Sequence, residues 1–148
     1  MNHDFLDILR ELSAAQADYL VIGAFAVGVH AEPRATGDLD VFVRPSAGNA
    51  GRVFAALQKF GAPLTDLTVA DLANAGTVFQ MGVPPYRIDI INEISGVTFD
   101  EAWHGRVMVD IDGFAVSFIG RQELLRNKIA SGRNKDLIDV ELLRKHGK

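Results

Sequence analysis

The sequence predicts an α/β (α+β) domain, and three observations carry that expectation. Between residues 19 and 91 short apolar runs alternate with segments of helical periodicity, Asp112-Gly113 gives a strong hairpin signal, and residues 122–145 read as a pair of helices joined by a tight turn. With 148 residues, 48% hydrophobic and 23% charged, the chain is expected to form one domain over 1–148. No apolar run reaches the roughly 18 residues of a membrane span, so no membrane partner is expected. The start, MNHDFLDILRELSAA, carries acids where a secretory leader would carry bases, and the chain holds no cysteine. There is then no disulfide framework and no thiolate metal site, which fits a cytoplasmic protein.

Taken in order, residues 4–15 place Phe5, Ile8, Leu9 and Leu12 at helical spacing, with Asp4 in the first turn. Tyr19 to Ile22 reads as a short buried strand ended by Gly23, and Ala24 to His30 as a helix broken by Pro33. His30, at that helix end, is expected to cap carbonyls. A strand opening with Asp38-Leu39-Asp40 and completed by Val41-Phe42-Val43 comes next. A helix over 47–60 follows, with Ser46 as N-cap, Val53, Phe54, Leu57 and Phe60 on one face, and Gly61 as its stop. Residues 69–73 offer a short helix and Thr77 to Met81 a strand, running into a turn at Gly82-Val83-Pro84-Pro85. Tyr86 to Ile91 is the next strong strand, residues 98–104 a helical turn or loop, and 106–111 with 114–119 the arms of the hairpin. The closing helices, 122–131 and 135–145, are expected to turn Leu124, Leu125, Ile129, Leu137, Ile138, Leu142 and Leu143 inward.

The chemistry concentrates in residues 19–45. Side chains alternate along a strand, so Asp38 and Asp40 share one face while Leu39 and Val41 enter the core. By a rise of roughly 3.3 Å per residue these carboxylates lie about 7 Å apart. Their mutual repulsion asks for a cation, and magnesium needs only one or two carboxylates plus substrate phosphates. A D-x-D standing alone is more often the polar face of an edge strand or a turn. Here a glycine turn precedes it, where backbone can approach a ligand and a helix N-terminus faces phosphate. A third carboxylate, Asp89, follows in the strand Arg87-Ile88-Asp89-Ile90. Flanked by isoleucines, it needs a partner: Arg87 on its own face, or a metal shared with Asp38 and Asp40. Arg34, with Thr36 in the loop before the pair, either neutralises the carboxylates or reaches a phosphate.

Net charge is −4 and unevenly spread. Residues 121–148 hold eight Lys/Arg against four Asp/Glu, a surplus of +4, which leaves −8 on residues 1–120. Such a body attracts cations and repels a polyanion unless metal or the basic tail intervenes. Lys128, Arg133 and Lys135 cluster around one turn of that tail, either as phosphate or acceptor contacts or as a solvated corner paired with Asp136 and Asp139.

Gly turn after a strand, D-x-D, then a lone Asp in a later strand: this order resembles the minimal core of the DNA polymerase beta-like nucleotidyltransferase superfamily. Tyr19-Leu20-Val21-Ile22-Gly23 with Ala26 and His30, Pro33 to Asp40, Arg87 to Ile90, and Lys128 to Asp139 resemble the small bacterial branch of AbiEii-type abortive-infection toxins. The resemblance implies a mixed central sheet with flanking helices and two magnesium ions. Asp38 and Asp40 would hold one ion against a nucleoside triphosphate, and Asp89 the second. With that reading, Gly23, Ala24, Arg34, Thr36, Lys128, Arg133 and Lys135 are the candidate phosphate or nucleotide contacts. The acceptor would be a hydroxyl of tRNA or other RNA, of protein, or of a small molecule such as an aminoglycoside, and an antitoxin would be a partner. The family carries Gly-Ser or Gly-Gly at the phosphate turn where this chain has Gly23-Ala24. That departure, with the shortness of the chain, supports an alternative: a binding protein that kept the fold and lost turnover.

Overall fold

A computed structural model describes residues 1–33 and 35–146. The elements in chain order are α1 (His3–Ala14), β1 (Tyr19–Ile22), α2 (Gly23–His30), β2 (Asp38–Val43), α3 (Ala47–Phe60), α4 (Val69–Ala73), β3 (Val78–Val83), β4 (Tyr86–Ile91), α5 (Phe99–His104), β5 (Val107–Ile111), β6 (Phe114–Phe118), α6 (Arg121–Ser131) and α7 (Asn134–His146). The strands form one mixed sheet in the order β3-β4-β2-β1-β6-β5. β2 runs antiparallel to β1 and parallel to β4, and β1 runs parallel to β6. The two outer pairs, β3 with β4 and β5 with β6, are antiparallel hairpins.

β1 and β2 are buried along almost their whole length, as interior strands must be, and the D-x-D pair therefore lies in mid-sheet rather than on an edge. Leu39 and Val41 are fully buried, as the alternation requires. On their side of the sheet Met81 and Ile88 meet Phe5 of α1 and Phe60 of α3 around a small cavity. Asn49, buried in α3, accepts from the Asp18 N–H at 2.7 Å and donates to the carbonyls of Asp18 and Arg44, each at 3.1 Å. It thereby ties the start of β1 to the end of β2. Arg44 continues this clamp by pairing with Asp18 at 2.8 Å and with Asp100, its guanidinium lying over the Phe99 ring.

The predicted boundaries hold closely, with local differences. β3 starts one residue later than expected and continues through Gly82 and Val83, so the turn shrinks to Pro84-Pro85. Within residues 98–104, Phe99–His104 resolves as a helix because its N-cap Thr98 and Glu101 make a reciprocal capping box. His30 does not cap its own helix; its ring is bonded to the Ile119 carbonyl at 2.8 Å, joining α2 to the end of β6.

The larger correction concerns the closing helices. Leu124 and Leu143 are buried, but Ile129, Leu137 and Ile138 are exposed, while Lys128, Asp136 and Asp139 are buried. Lys128 Nζ lies 3.3 Å from Asp136 and 3.0 Å from Asp139. Paired charges thus hold the inner face that apolar residues were expected to fill, because each buried ion has an opposite one within reach.

Candidate active site

Strand register brings the three carboxylates together. Asp40 pairs across β2 and β4 with Asp89, and Asp38 with Arg87, so all four side chains belong to one face. On the other flank Asp40 stands opposite Ile22, after which β1 turns directly into α2 at Gly23. Gly23 has φ +68°, and a Cβ there would lie 2.3 Å from Asp40 Oδ2. Glycine is required twice over, by left-handed backbone and by the carboxylate against it. Gly37 has a similar reason, since its Cβ would lie 1.8 Å from the Pro85 carbonyl. That close approach lets the Arg87 N–H donate to the Gly37 carbonyl at 2.8 Å and seats the β3–β4 turn beside the D-x-D.

These groups line a cleft of about 880 Å³ that takes in Gly23, Ala24, Thr36, Asp38, Asp40, Arg87, Asp89, Lys128, Arg133 and Lys135. Every sequence-predicted site residue except Arg34 is therefore on one cleft; Arg34 lies outside the described residues. Their roles differ. Thr36 shapes the approach, its hydroxyl accepting from the Asp38 N–H at 3.2 Å. Lys128 is engaged by Asp136 and Asp139, and Arg133 by Asp136 at 2.7 Å. Burial works to raise the Asp136 carboxyl, but the Arg133 and Lys128 hydrogen bonds and charges outweigh it and hold it below its ordinary value. Lys135 is exposed and has no ion-pair partner among the described residues.

Electrostatic stress falls on Asp40. Burial, then the charges of Asp89 and Asp38, raise its pKa from 3.8 to about 6, with a hydrogen bond to Asp89 in the same sense and Lys128 opposing. Arg87 relieves the other two carboxylates: Nε donates to Asp89 Oδ1 at 3.1 Å, and Nη2 reaches Asp38 Oδ2 at 3.5 Å. Asp89 thus has Arg87 as its ion-pair partner and Asp38 and Asp40 as its neighbours on the same face.

Among the described residues no group of three or more histidine, aspartate or glutamate side chains is placed to hold a metal ion by itself. Magnesium does not demand one: it keeps water and completes its shell with substrate phosphates. A set of hard oxygen donors, one of them raised to about 6 by burial and by its neighbouring carboxylates, suits a hard divalent ion.

Sequence reasoning missed the far end of the cleft, formed by Glu93, Ile94, Ser95, Asn127 and Ser131. Glu93 continues the two-residue spacing of Arg87, Asp89 and Ile91 beyond the strand, a signal present in the sequence. Asn127 is brought there by donating from its side-chain amide to the Ser95 carbonyl at 3.0 Å, a contact no sequence spacing announces.

No protein-family model matches the chain, and no curated protein matches it by sequence. Solved structures do. A lincosamide antibiotic adenylyltransferase with lincomycin bound is similar with TM-score 0.62 at 14% identity, over 99% of this chain and 98% of that one. An antigenic nucleotidyltransferase-like protein from Paracoccidioides brasiliensis follows with TM-score 0.57 at 15% identity, over 97% of this chain and 72% of its own. A Thermotoga maritima protein assigned to the nucleotidyltransferases gives TM-score 0.55 at 15% identity, over 98% and 94%. The chain has a nucleotidyltransferase-like fold.

Proposed function

We propose that the protein is a magnesium-dependent nucleotidyltransferase that moves a nucleoside monophosphate from a nucleoside triphosphate to a hydroxyl acceptor. The observation that carries this reading is that strand register sets Asp38, Asp40 and Asp89 on one face of the sheet beside the Gly23 turn, at the mouth of a helix. Asp38, Asp40 and Asp89 would hold the metal, which when bound neutralises the triphosphate and favours in-line displacement at the α-phosphorus. The α2 N-terminus offers its unpaired N–H groups, those of Gly23 and Ala24 included, to phosphate, and Lys135 adds an exposed positive charge on the same cleft. The acceptor oxygen bonds to the α-phosphorus, pyrophosphate leaves, and Asp89 would take the hydroxyl proton.

Ala24 removes a serine hydroxyl from the turn but leaves its backbone donors in place. Shortness no longer favours a turnover-deficient binding protein, since the lincosamide adenylyltransferase structure is matched over 98% of its own length. That neighbour and the −8 surplus on residues 1–120 favour a small hydroxylated acceptor over a polyanion. The likeness to abortive-infection toxins argues instead for RNA, with an antitoxin as partner. Labelling a total cell extract with protein, magnesium and each labelled triphosphate separates them by the fraction that takes the label.

Calorimetric titration tests the first step. Wild type should bind a nucleoside triphosphate only with magnesium, and Asp38→Asn combined with Asp40→Asn should abolish that binding. Binding indifferent to the double substitution would refute the assignment.

A further inference from the structure

We propose that Arg87 is a built-in counter-cation of the metal-free site, which must leave Asp38 and Asp89 before a metal ion can use them, so that metal and triphosphate bind as a coupled pair. The inference rests on the nucleotidyl-transfer reading and adds a regulatory contact within that site.

The guanidinium occupies the oxygens a hard cation needs. Nε donates to Asp89 Oδ1 at 3.1 Å, and Nη2 reaches Asp89 Oδ2 at 3.4 Å and Asp38 Oδ2 at 3.5 Å. A divalent ion on the same pair would stand within a few ångströms of a fixed positive charge, and like charges at that range repel strongly where water is partly excluded. One of the two has to move.

Arg87 is built to be the one that moves. Its side chain is 38% exposed, and among the described residues those two carboxylates are its only side-chain partners. Its backbone N–H stays fixed on the Gly37 carbonyl at 2.8 Å, so the side chain can swing while the strand does not shift. Asp89 is the opposite case, 8% exposed and unable to follow. The guanidinium opens onto the cleft, where a triphosphate offers pairs of charged oxygens that its planar fork can take bidentately. With nucleotide present, Arg87 exchanges carboxylates for phosphate while the metal takes the carboxylates. Without nucleotide, the metal must drive the guanidinium into water and binds poorly.

Manganese, alone and with a non-hydrolysable triphosphate, is the probe, titrated by calorimetry into wild type, Arg87→Gln and Arg87→Lys. Arg87→Gln is expected to bind manganese alone roughly tenfold tighter than wild type, because the competing charge is gone. Arg87→Lys, a compact charge without the fork, should bind it a few-fold tighter and guards against a folding defect in the neutral variant. Triphosphate should improve manganese affinity more in wild type than in Arg87→Gln. If both variants bind manganese no tighter than wild type, Arg87 only positions Asp89 and the proposal is overturned. Absence of triphosphate binding by wild type would sink the nucleotidyl-transfer reading instead, while the manganese-alone comparison still decides Arg87.

Discussion

Asp40 is the residue where the site's electrostatics become a stability term. Its carboxyl is raised from 3.8 to about 6, so the folded chain holds this proton more tightly than the unfolded chain. The associated stability is fully present below pH 3.8 and is lost as pH rises through about 6. A rise of that size is worth roughly 3 kcal/mol at most, and solvent reaching the half-buried carboxyl lowers the figure. In chelator, Asp40→Asn should therefore melt several degrees above wild type at pH 7.5 and level with it near pH 4; equal melting at pH 7.5 would mean that the carboxylates do not strain the fold. The same substitution should erase any stabilisation by magnesium. Gly23 fails in the opposite direction. Gly23→Ala should destabilise by about 1 kcal/mol or more from its left-handed backbone alone, and should also displace Asp40, so both melting temperature and triphosphate affinity fall.

Within the elements, α6 and α7 show what periodicity can and cannot announce. Leu124 and Leu143 are buried as their spacing suggests, but Ile129, Leu137 and Ile138 are not. The pairing of Lys128 with Asp136 and Asp139 was open to the sequence as a solvated corner; the missing information was that these charges are buried where the helices meet. Removing one charge leaves the others buried and unpaired. Lys128→Met should cost about 3–5 kcal/mol, whereas Leu137→Ser, on the exposed side, should stay within about 0.5 kcal/mol. Urea unfolding of both variants measures the contrast, and the reverse ranking would mean the helices pack on their apolar residues. The strands were more legible. Asp38 and Asp40 are read directly from a period of two, and the hydrophobic flanks of Asp89 locate it on the same kind of strand. What no local pattern gives is the register that sets Asp40 against Asp89.

At the scale of the whole molecule, the α/β class and the mixed sheet were legible because strands, turns and helices alternate with clear punctuation. The strand order was not, since it depends on the parallel pairing of β1 with β6 and of β2 with β4 across long stretches of chain. That order makes the site: β1 supplies the glycine turn, β2 and β4 the carboxylates, and α6 with α7 the basic wall. None of the described helices is long and apolar enough to cross a membrane. The central claim is transfer of the α-phosphoryl group with its nucleoside, and position-specific labelling tests it most directly. Incubation of protein, magnesium and cell extract with triphosphate labelled at the α-phosphorus should yield a labelled product, absent with γ-label and absent for Asp38→Asn/Asp40→Asn. Transfer of the γ-label, or α-labelling undiminished by the double substitution, would contradict it.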